Sequence, residues 1–162
     1  MKKILLSALL STVIVSLVNA QAARTIIGKW KPVFVKMGTA VTMDVKADSI
    51  HISDSAKASW KKDKDPQQTE QMMMYTMEAM FRKIKNLQDE YFTDSSYTET
   101  NTLTGRSKKG TYTYNPQEKK IRRTSANGTI EDMLIAWQGN NLVVTVLMDD
   151  KKDGFEIIFE RQ

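Results

Sequence analysis

Turn-forming residues recur at short, regular intervals through the C-terminal half of the chain, and this spacing constrains the fold more than any other feature. The signals are Asp94-Ser95-Ser96, Gly105, Asn115-Pro116, Asn127-Gly128, Gly139-Asn140-Asn141 and Asp153-Gly154. Turn signals about ten to thirteen residues apart, with β-prone segments between them, are typical of an antiparallel meander. We therefore predict seven strands between Glu90 and the C-terminus.

The predicted strands alternate so that each has one plausible buried face. Side chains of neighbouring residues in a strand point to opposite sides of the sheet, so residues two apart share a face. Threonines occupy one phase of the early strands, which suits a solvated face, and tyrosines occupy the other. The aromatic and methionine residues in the inward phase are Tyr97, Tyr112, Tyr114, Met133 and Trp137.

A sheet of this length needs its edges covered. Two exposed edges would be free to pair with other chains, and closure into a barrel removes them. The segment IIGKWKPVFVKM, residues 26–37, can supply the strand that pairs with the last one. We therefore predict an all-β fold with one inserted α-helix: a closed, antiparallel, up-and-down barrel of about eight strands.

The inserted helix is predicted over residues 66–88. Asp65 is a suitable N-cap and Pro66 suits the first helical position. At about 100° per residue, an apolar face gathers Met73, Met77 and Met80 with Ile84 and Leu87. The same spacing would suit a thioether copper site, but the stripe continues without donor atoms, so we interpret it as core or as a lid over the barrel. Residues 38–64 are ambiguous, with room for one short strand.

The N-terminus resembles a cleavable secretory signal. Two lysines precede an apolar run, and Val18 and Ala20 occupy the positions expected before a cleavage site. The run is shorter than the roughly 20 residues that a bilayer span needs, and without cysteine the chain has no site for N-terminal lipidation. We therefore predict a signal peptide over residues 1–20, a single domain over 21–162, and a soluble periplasmic or extracellular protein.

Several function classes lack the residues they need. The chain has one histidine, His51, and no cysteine, which leaves no thiolate nucleophile or multi-histidine metal site. No cofactor is implied. Removing Lys2 and Lys3 lowers the side-chain charge balance from +5 to +3, too small an excess to indicate nucleic-acid binding.

One conjunction of motifs resembles the lipocalin-like (calycin) barrels, in particular the short exported lipocalin-like domains of bacteria. It consists of Gly28-Lys29-Trp30 at the first strand, the segment GTYTY at 110–114 and Arg161 on the last strand. The resemblance covers roughly residues 25–37 and 89–162. It implies an eight-stranded barrel that holds one small ligand or is filled by side chains. It also implies that Arg161 lies on Trp30 in a desolvated cation-π contact, with both residues structural.

On this basis the sequence favours a non-enzymatic binding protein for a small, largely hydrophobic ligand. Arg123, in phase with Ile121, is predicted to supply a cation for an anionic head group. The predicted lining is Tyr97, Tyr112, Tyr114, Met133 and Trp137 from the strands and Met77 from the helix.

Two alternatives stay open. One is a structural or protein-interaction module of the cell envelope with a filled barrel and no ligand. The other is an enzyme that uses carboxylates such as Glu99 and Asp132 with Tyr112, although alternation places Asp132 on the outer face.

Overall fold

The first and last strands of the chain pair with each other and close the sheet into a barrel. The computed structural model describes residues 25–147 and 154–162. The strands are β1 (Gly28–Met37), β2 (Val41–Asp44), β3 (Ser49–Ile52), β4 (Leu87–Tyr91), β5 (Ser96–Asn101), β6 (Ser107–Asn115), β7 (Lys120–Ser125), β8 (Ile130–Gln138), β9 (Asn141–Leu147) and β10 (Gly154–Arg161). The helices are α1 (Asp54–Trp60) and α2 (Pro66–Lys85).

Eight of these strands form the closed antiparallel barrel. Strands β4 to β10 follow one another as a meander, and β1 joins β4 to β10. In the closing pair, Trp30 lies opposite Arg161 and Val35 opposite Ile157. The predicted all-β barrel with seven strands in the C-terminal half is therefore confirmed.

The edge of β1 that faces β4 is shared by two partners. Its start pairs with β4, where Gly28 lies opposite Tyr91, and its end pairs with β2, where Val35 lies opposite Met43. On its other edge, β1 shifts its register against β10 between Pro32 and Phe34. The shift falls at a proline, which has no N–H to donate to a ladder. Strands β2 and β3 therefore form a hairpin that extends the barrel wall beyond β4.

Residues 38–64 contain more structure than the sequence predicted. They form the β2–β3 hairpin, two strands rather than one, followed by α1, so the prediction of a single inserted helix was wrong by one. Ser53 caps α1, because its side-chain oxygen accepts a hydrogen bond from the backbone N–H of Ala56 at 3.3 Å. None of the residues of α1 is buried, which explains why no amphipathic pattern revealed it.

Helix α2 begins as predicted and ends three residues earlier. Asp65 accepts a hydrogen bond from the Gln68 N–H at 3.1 Å, and Pro66 occupies the first turn. The predicted apolar face is confirmed, since Met77, Phe81 and Ile84 are buried. Leu87 belongs to β4 instead, because Asn86 stops the helix with its side-chain amide bonded to the Arg82 carbonyl at 2.8 Å.

The two ends of the barrel differ. Alternate turns of an antiparallel meander lie at the same end, so the β5–β6 and β7–β8 turns share one end with the junction of α2 and β4, where the Thr102 N–H donates to the Asn86 carbonyl. We call this the helix end. The opposite end carries the start of β1, the close of β10 and the β8–β9 turn, and we call it the tryptophan end after Trp30 and Trp137.

The predicted signal peptide, residues 1–20, lies outside the described residues. Within residues 25–147 and 154–162, no helix is both long enough and apolar enough to cross a membrane.

Candidate functional site

A buried guanidinium lies inside the barrel, where it binds three carboxylates from three other strands. Arg123 on β7 donates to Asp89 at 3.1 Å, to Glu99 at 3.0 Å and to Glu131 at 2.9 Å. Alternation explains why these side chains meet: each is in phase with a buried neighbour on its own strand, such as Tyr91 for Asp89. We call these four residues the Arg123 cluster.

The cluster carries more negative than positive charge. Its three carboxylates face two cations, Arg123 and Lys108, and the Lys108 ammonium bonds to Glu131 at 2.6 Å. Asp89 and Arg123 are 5% and 6% exposed, so water does little to screen them. Burial raises the pKa of Asp89 to about 6, although the adjacent Arg123 guanidinium acts in the opposite direction. Burial disfavours the charged form of Arg123, but Tyr91 and the carboxylates together raise its pKa.

Three tyrosines lie beside the cluster. The ring centroid of Tyr91 is 6.3 Å from that of Tyr97 and 5.0 Å from that of Tyr112, the latter in an edge-on arrangement. The Arg123 guanidinium carbon is 4.8 Å from the centre of the Tyr97 ring, within the range of a cation-π contact. The Tyr112 hydroxyl donates to the Phe92 carbonyl at 2.8 Å. This part of the interior is therefore occupied by the protein's own side chains.

The buried polar groups are not all satisfied. Among the described residues, Asp89 Oδ1, the Tyr97 hydroxyl and Arg123 Nε have no hydrogen-bond partner. One is an acceptor, one is a donor, and the hydroxyl can act as either. Unpartnered buried groups are rare in folded proteins, and here two of the three belong to residues, Asp89 and Tyr97, that both contact the third, Arg123.

The opposite wall of the interior is apolar. Inward residues of β8 to β10 are buried at Met133, Ile135, Val144 and Ile157. Helix α2 adds Met77, Phe81 and Ile84 to the same core, and Met73, Met74 and Met80 lie half-buried beside them. The interior therefore has a charged, aromatic side and an apolar side, and α2 joins the same core next to β1.

The residues predicted from the sequence to line a ligand site do not all come together. Tyr97, Tyr112 and Met133 are buried inside the barrel, and Met77 is buried under α2. Tyr114 is half-buried, and Trp137 lies at the tryptophan end against Trp30. Arg123 is inside, as expected, but its three carboxylate partners surround the position where an anionic head group was predicted.

Three members of this site were missed by the sequence reasoning: Asp89, Tyr91 and Glu131. Strand phase could have found them, because Glu131 is in phase with Met133 and Ile135, and Asp89 with Tyr91. An acid in an inward phase is a signal for a buried ion pair.

The tryptophan end is built around Trp30. Its indole N–H donates to the Ile26 carbonyl at 2.7 Å, and its ring lies 5.8 Å from that of Trp137. The Arg161 guanidinium carbon is 5.5 Å from the Trp30 ring centre, and one of its nitrogens donates to the Ile27 carbonyl. The structure therefore places Arg161 on Trp30, but Arg161 is exposed, so the contact is not desolvated as expected.

The carboxylates named for an enzyme are engaged in ion pairs. Asp132 lies on the outer face, where its carboxylate bonds to Arg122 at 2.7 Å and Lys120 at 2.9 Å. The hydrogen bonds from these two cations lower its pKa. Glu99 belongs to the Arg123 cluster inside. The two carboxylates therefore lie on opposite sides of the barrel wall and do not face one substrate.

Within the described ranges, no group of three or more His, Asp or Glu residues is arranged to hold a metal ion. His51 is exposed on β3.

Comparison with known proteins gives a structural likeness without a family. The chain matches no family model and no curated protein. The crystal structure of a DUF4847 family protein from Bacteroides vulgatus is similar to 83% of this chain and 94% of that protein, at 12% sequence identity and a TM-score of 0.43.

Proposed function

We propose that this chain is an exported, non-enzymatic, lipocalin-like binding protein for a small, largely hydrophobic ligand. The ligand lies inside the barrel, against the apolar wall of β8 to β10. The observation that carries this proposal is that Met77, Phe81 and Ile84 of α2 join the barrel core. A helix that meets the core through methionine can adjust to an apolar guest, because the methionine side chain is flexible.

The Arg123 cluster limits where the ligand sits and what its polar end can be. Tyr91, Tyr97, Tyr112 and Arg123 fill their side of the interior, so the apolar body lies against Met133 and Ile135. Asp89 Oδ1, the Tyr97 hydroxyl and Arg123 Nε offer both donors and acceptors. Three carboxylates would repel a free anion. The ligand's polar end is therefore a hydroxyl or an amide rather than a carboxylate.

Binding of a neutral apolar fluorophore tests this proposal. N-phenylnaphthylamine should bind with a rise in fluorescence, and native mass spectrometry of the purified protein should show a co-purified lipid. Ile135→Phe fills the proposed space and should weaken binding, whereas Leu134→Phe, on the outward face of the same strand, should leave it unchanged. Absence of probe binding, or equal binding by both variants, would contradict the proposal.

Export has its own test. We propose that cleavage after Ala20 releases a mature protein that begins at Gln21. N-terminal sequencing of the protein recovered from the periplasm or medium should give Gln21 first. Recovery of a chain that still carries Lys2 and Lys3 in the cytoplasm would contradict export.

The second candidate is an interaction module of the cell envelope with a filled barrel. It is favoured by the outer face of α2, where Met72 is 63% exposed and Tyr75 is 76% exposed. A double Met72→Ser, Tyr75→Ser variant should lose a cross-linked envelope partner, while Leu103→Ser, at another exposed apolar residue, should keep it. This candidate predicts no signal from the apolar fluorophore.

A further inference from the structure

A cleft at the tryptophan end has no part in the function proposed above. Its volume is about 440 Å³, within the range of small-molecule sites. The cleft is open to solvent and lies at the opposite end of the barrel from α2. Its lining includes Trp30, Trp137, Asn140, Asn141, Glu160 and Arg161.

The aromatic part of this cleft is held rigidly. Trp30 is 1% exposed and its indole N–H is bonded to Ile26, so the ring is fixed in place. Trp137 packs against it at 5.8 Å and is only half-buried. A tryptophan with one side on the core and the other facing a cleft offers a flat apolar surface without loss of side-chain entropy on binding.

The polar part of the cleft has free hydrogen-bonding capacity. Asn140 and Asn141 follow Gly139, whose φ of +61° makes the tight β8–β9 turn. Within the described part of the chain, neither asparagine amide has a hydrogen-bond partner. Each amide offers two N–H donors and an oxygen acceptor side by side. Arg161, whose guanidinium has five N–H donors, adds further donors to those it uses on Ile27.

The charges in the cleft balance. Glu160 and Arg161 contribute one negative and one positive group, and Glu160 also bonds to Lys46 at 2.5 Å outside the cleft. A concave site without net charge has no electrostatic preference for an anion or a cation. Its many donors and acceptors also make it a poor site for a purely apolar molecule, since they would lose their contact with water.

We propose that this cleft binds a neutral saccharide, with a sugar ring stacked on Trp137 and its hydroxyls bonded to Asn140, Asn141 and Arg161. A pyranose ring has an apolar C–H face and a rim of hydroxyls that both donate and accept. That combination complements an indole beside two primary amides. The proposal is independent of the apolar ligand, because the cleft is open to solvent at the tryptophan end whereas the apolar ligand is proposed to lie inside the barrel.

Titration with defined neutral oligosaccharides tests the proposal. Cello-, xylo-, manno-, malto- and chito-oligosaccharides are added separately to the protein that begins at Gln21, and heat and tryptophan fluorescence are recorded. At least one should bind and shift the fluorescence. An Asn140→Ala, Asn141→Asp variant should bind it about tenfold more weakly, the effect of losing one or two hydrogen bonds.

Two further variants keep the result interpretable. Trp137→Phe, which retains an aromatic face, should weaken binding less than Trp137→Ala, and thermal unfolding shows whether each variant is folded. Trp60→Phe, in α1 at a distance from the cleft, should leave both affinity and the fluorescence shift intact. Absence of binding by every neutral sugar, binding that survives the asparagine variant, or binding of charged glycans alone would overturn the proposal.

Discussion

Asp89 is a carboxyl group whose burial opposes its ionisation. Its pKa in the folded state is about 6, against an ordinary value of 3.8, so between these values the folded state holds a proton that the unfolded chain has lost. The stabilisation from this proton is complete below about pH 4 and is lost as the pH rises through 6. Between pH 4 and pH 7 the wild type should therefore lose about 2 to 3 kcal/mol of unfolding free energy relative to Asp89→Asn, which has no such proton to lose. Urea unfolding at both pH values measures the gap.

Asp132 supplies a control, because its effect on stability should change with pH in the opposite direction. Its pKa is lowered by Arg122 and Lys120, so its contribution is present above its ordinary pKa and lost as the pH falls. Asp132→Asn should therefore lose stability relative to the wild type at neutral pH and approach it in acid. If the difference in unfolding free energy between Asp89→Asn and the wild type does not change with pH, the Arg123 cluster keeps Asp89 ionised throughout.

Gly110 is a position where the barrel wall leaves no room for a side chain. A Cβ there would lie 2.1 Å from the Thr124 carbonyl oxygen and 2.8 Å from Cε1 of Tyr97. Because the first contact is backbone, relief requires movement of β7, and Gly110→Ala should cost about 3 kcal/mol. Gly105→Ala is the matched variant, since nothing lies within 4 Å and only the φ of +69° is strained. It should cost about 1 kcal/mol, and equal losses in denaturant unfolding would contradict the steric account.

For single residues, the sequence predicted which face of the strand a side chain occupies but not which side chains it contacts. Strand alternation placed Tyr97, Tyr112 and Met133 on the inner face, where the structure has them. The ion pairs of Arg123 depend on which strands approach across the interior. That follows from register and closure, which one sequence does not reveal. The same limit explains why Trp137, also inward by phase, packs against Trp30 and does not join Tyr97 and Tyr112 beside the Arg123 cluster.

At the scale of elements, α2 has an inner and an outer face of unequal energetic weight. Phe81 is 6% exposed and Tyr75 is 76% exposed, although both are aromatic residues of one helix. Phe81→Ala should lower the free energy of unfolding by about 3 to 5 kcal/mol, because it leaves a cavity in the core. Tyr75→Ala should change it by less than about 0.5 kcal/mol. Similar losses in thermal or urea unfolding would mean that α2 packs on the barrel through its other face.

Elements were predictable where their patterns were long. The meander strands and α2 carry clear periods of two and 3.6 residues, so their number and phase could be predicted. Strands β2 and β3 are only four residues long, and α1 has seven residues and none buried. Segments this short carry too few repeats of a period to identify them.

For the whole molecule, closure by β10 is the condition for a folded barrel. Ile157 lies opposite Val35 on β1 and Val144 on β9, so removing β10 exposes two strand edges and opens the core. A chain of residues 21–150 should show no cooperative unfolding by near-ultraviolet circular dichroism. A peptide of residues 151–162 should restore it, whereas the same peptide with Ile157→Asp should not. Cooperative unfolding of the shortened chain alone would show that the seven remaining barrel strands, β1 and β4 to β9, suffice.

The pairing of Trp30 with Arg161 also determines when the barrel can close during synthesis. The ribosome makes β1 among the first residues of the domain and its partner among the last. At about 5 to 20 residues per second, the first strand waits on the order of ten seconds for the second. Throughout that interval the growing polypeptide has an unpaired edge, and contacts so distant in sequence form slowly. The barrel therefore closes only after its last strand, β10, has been made.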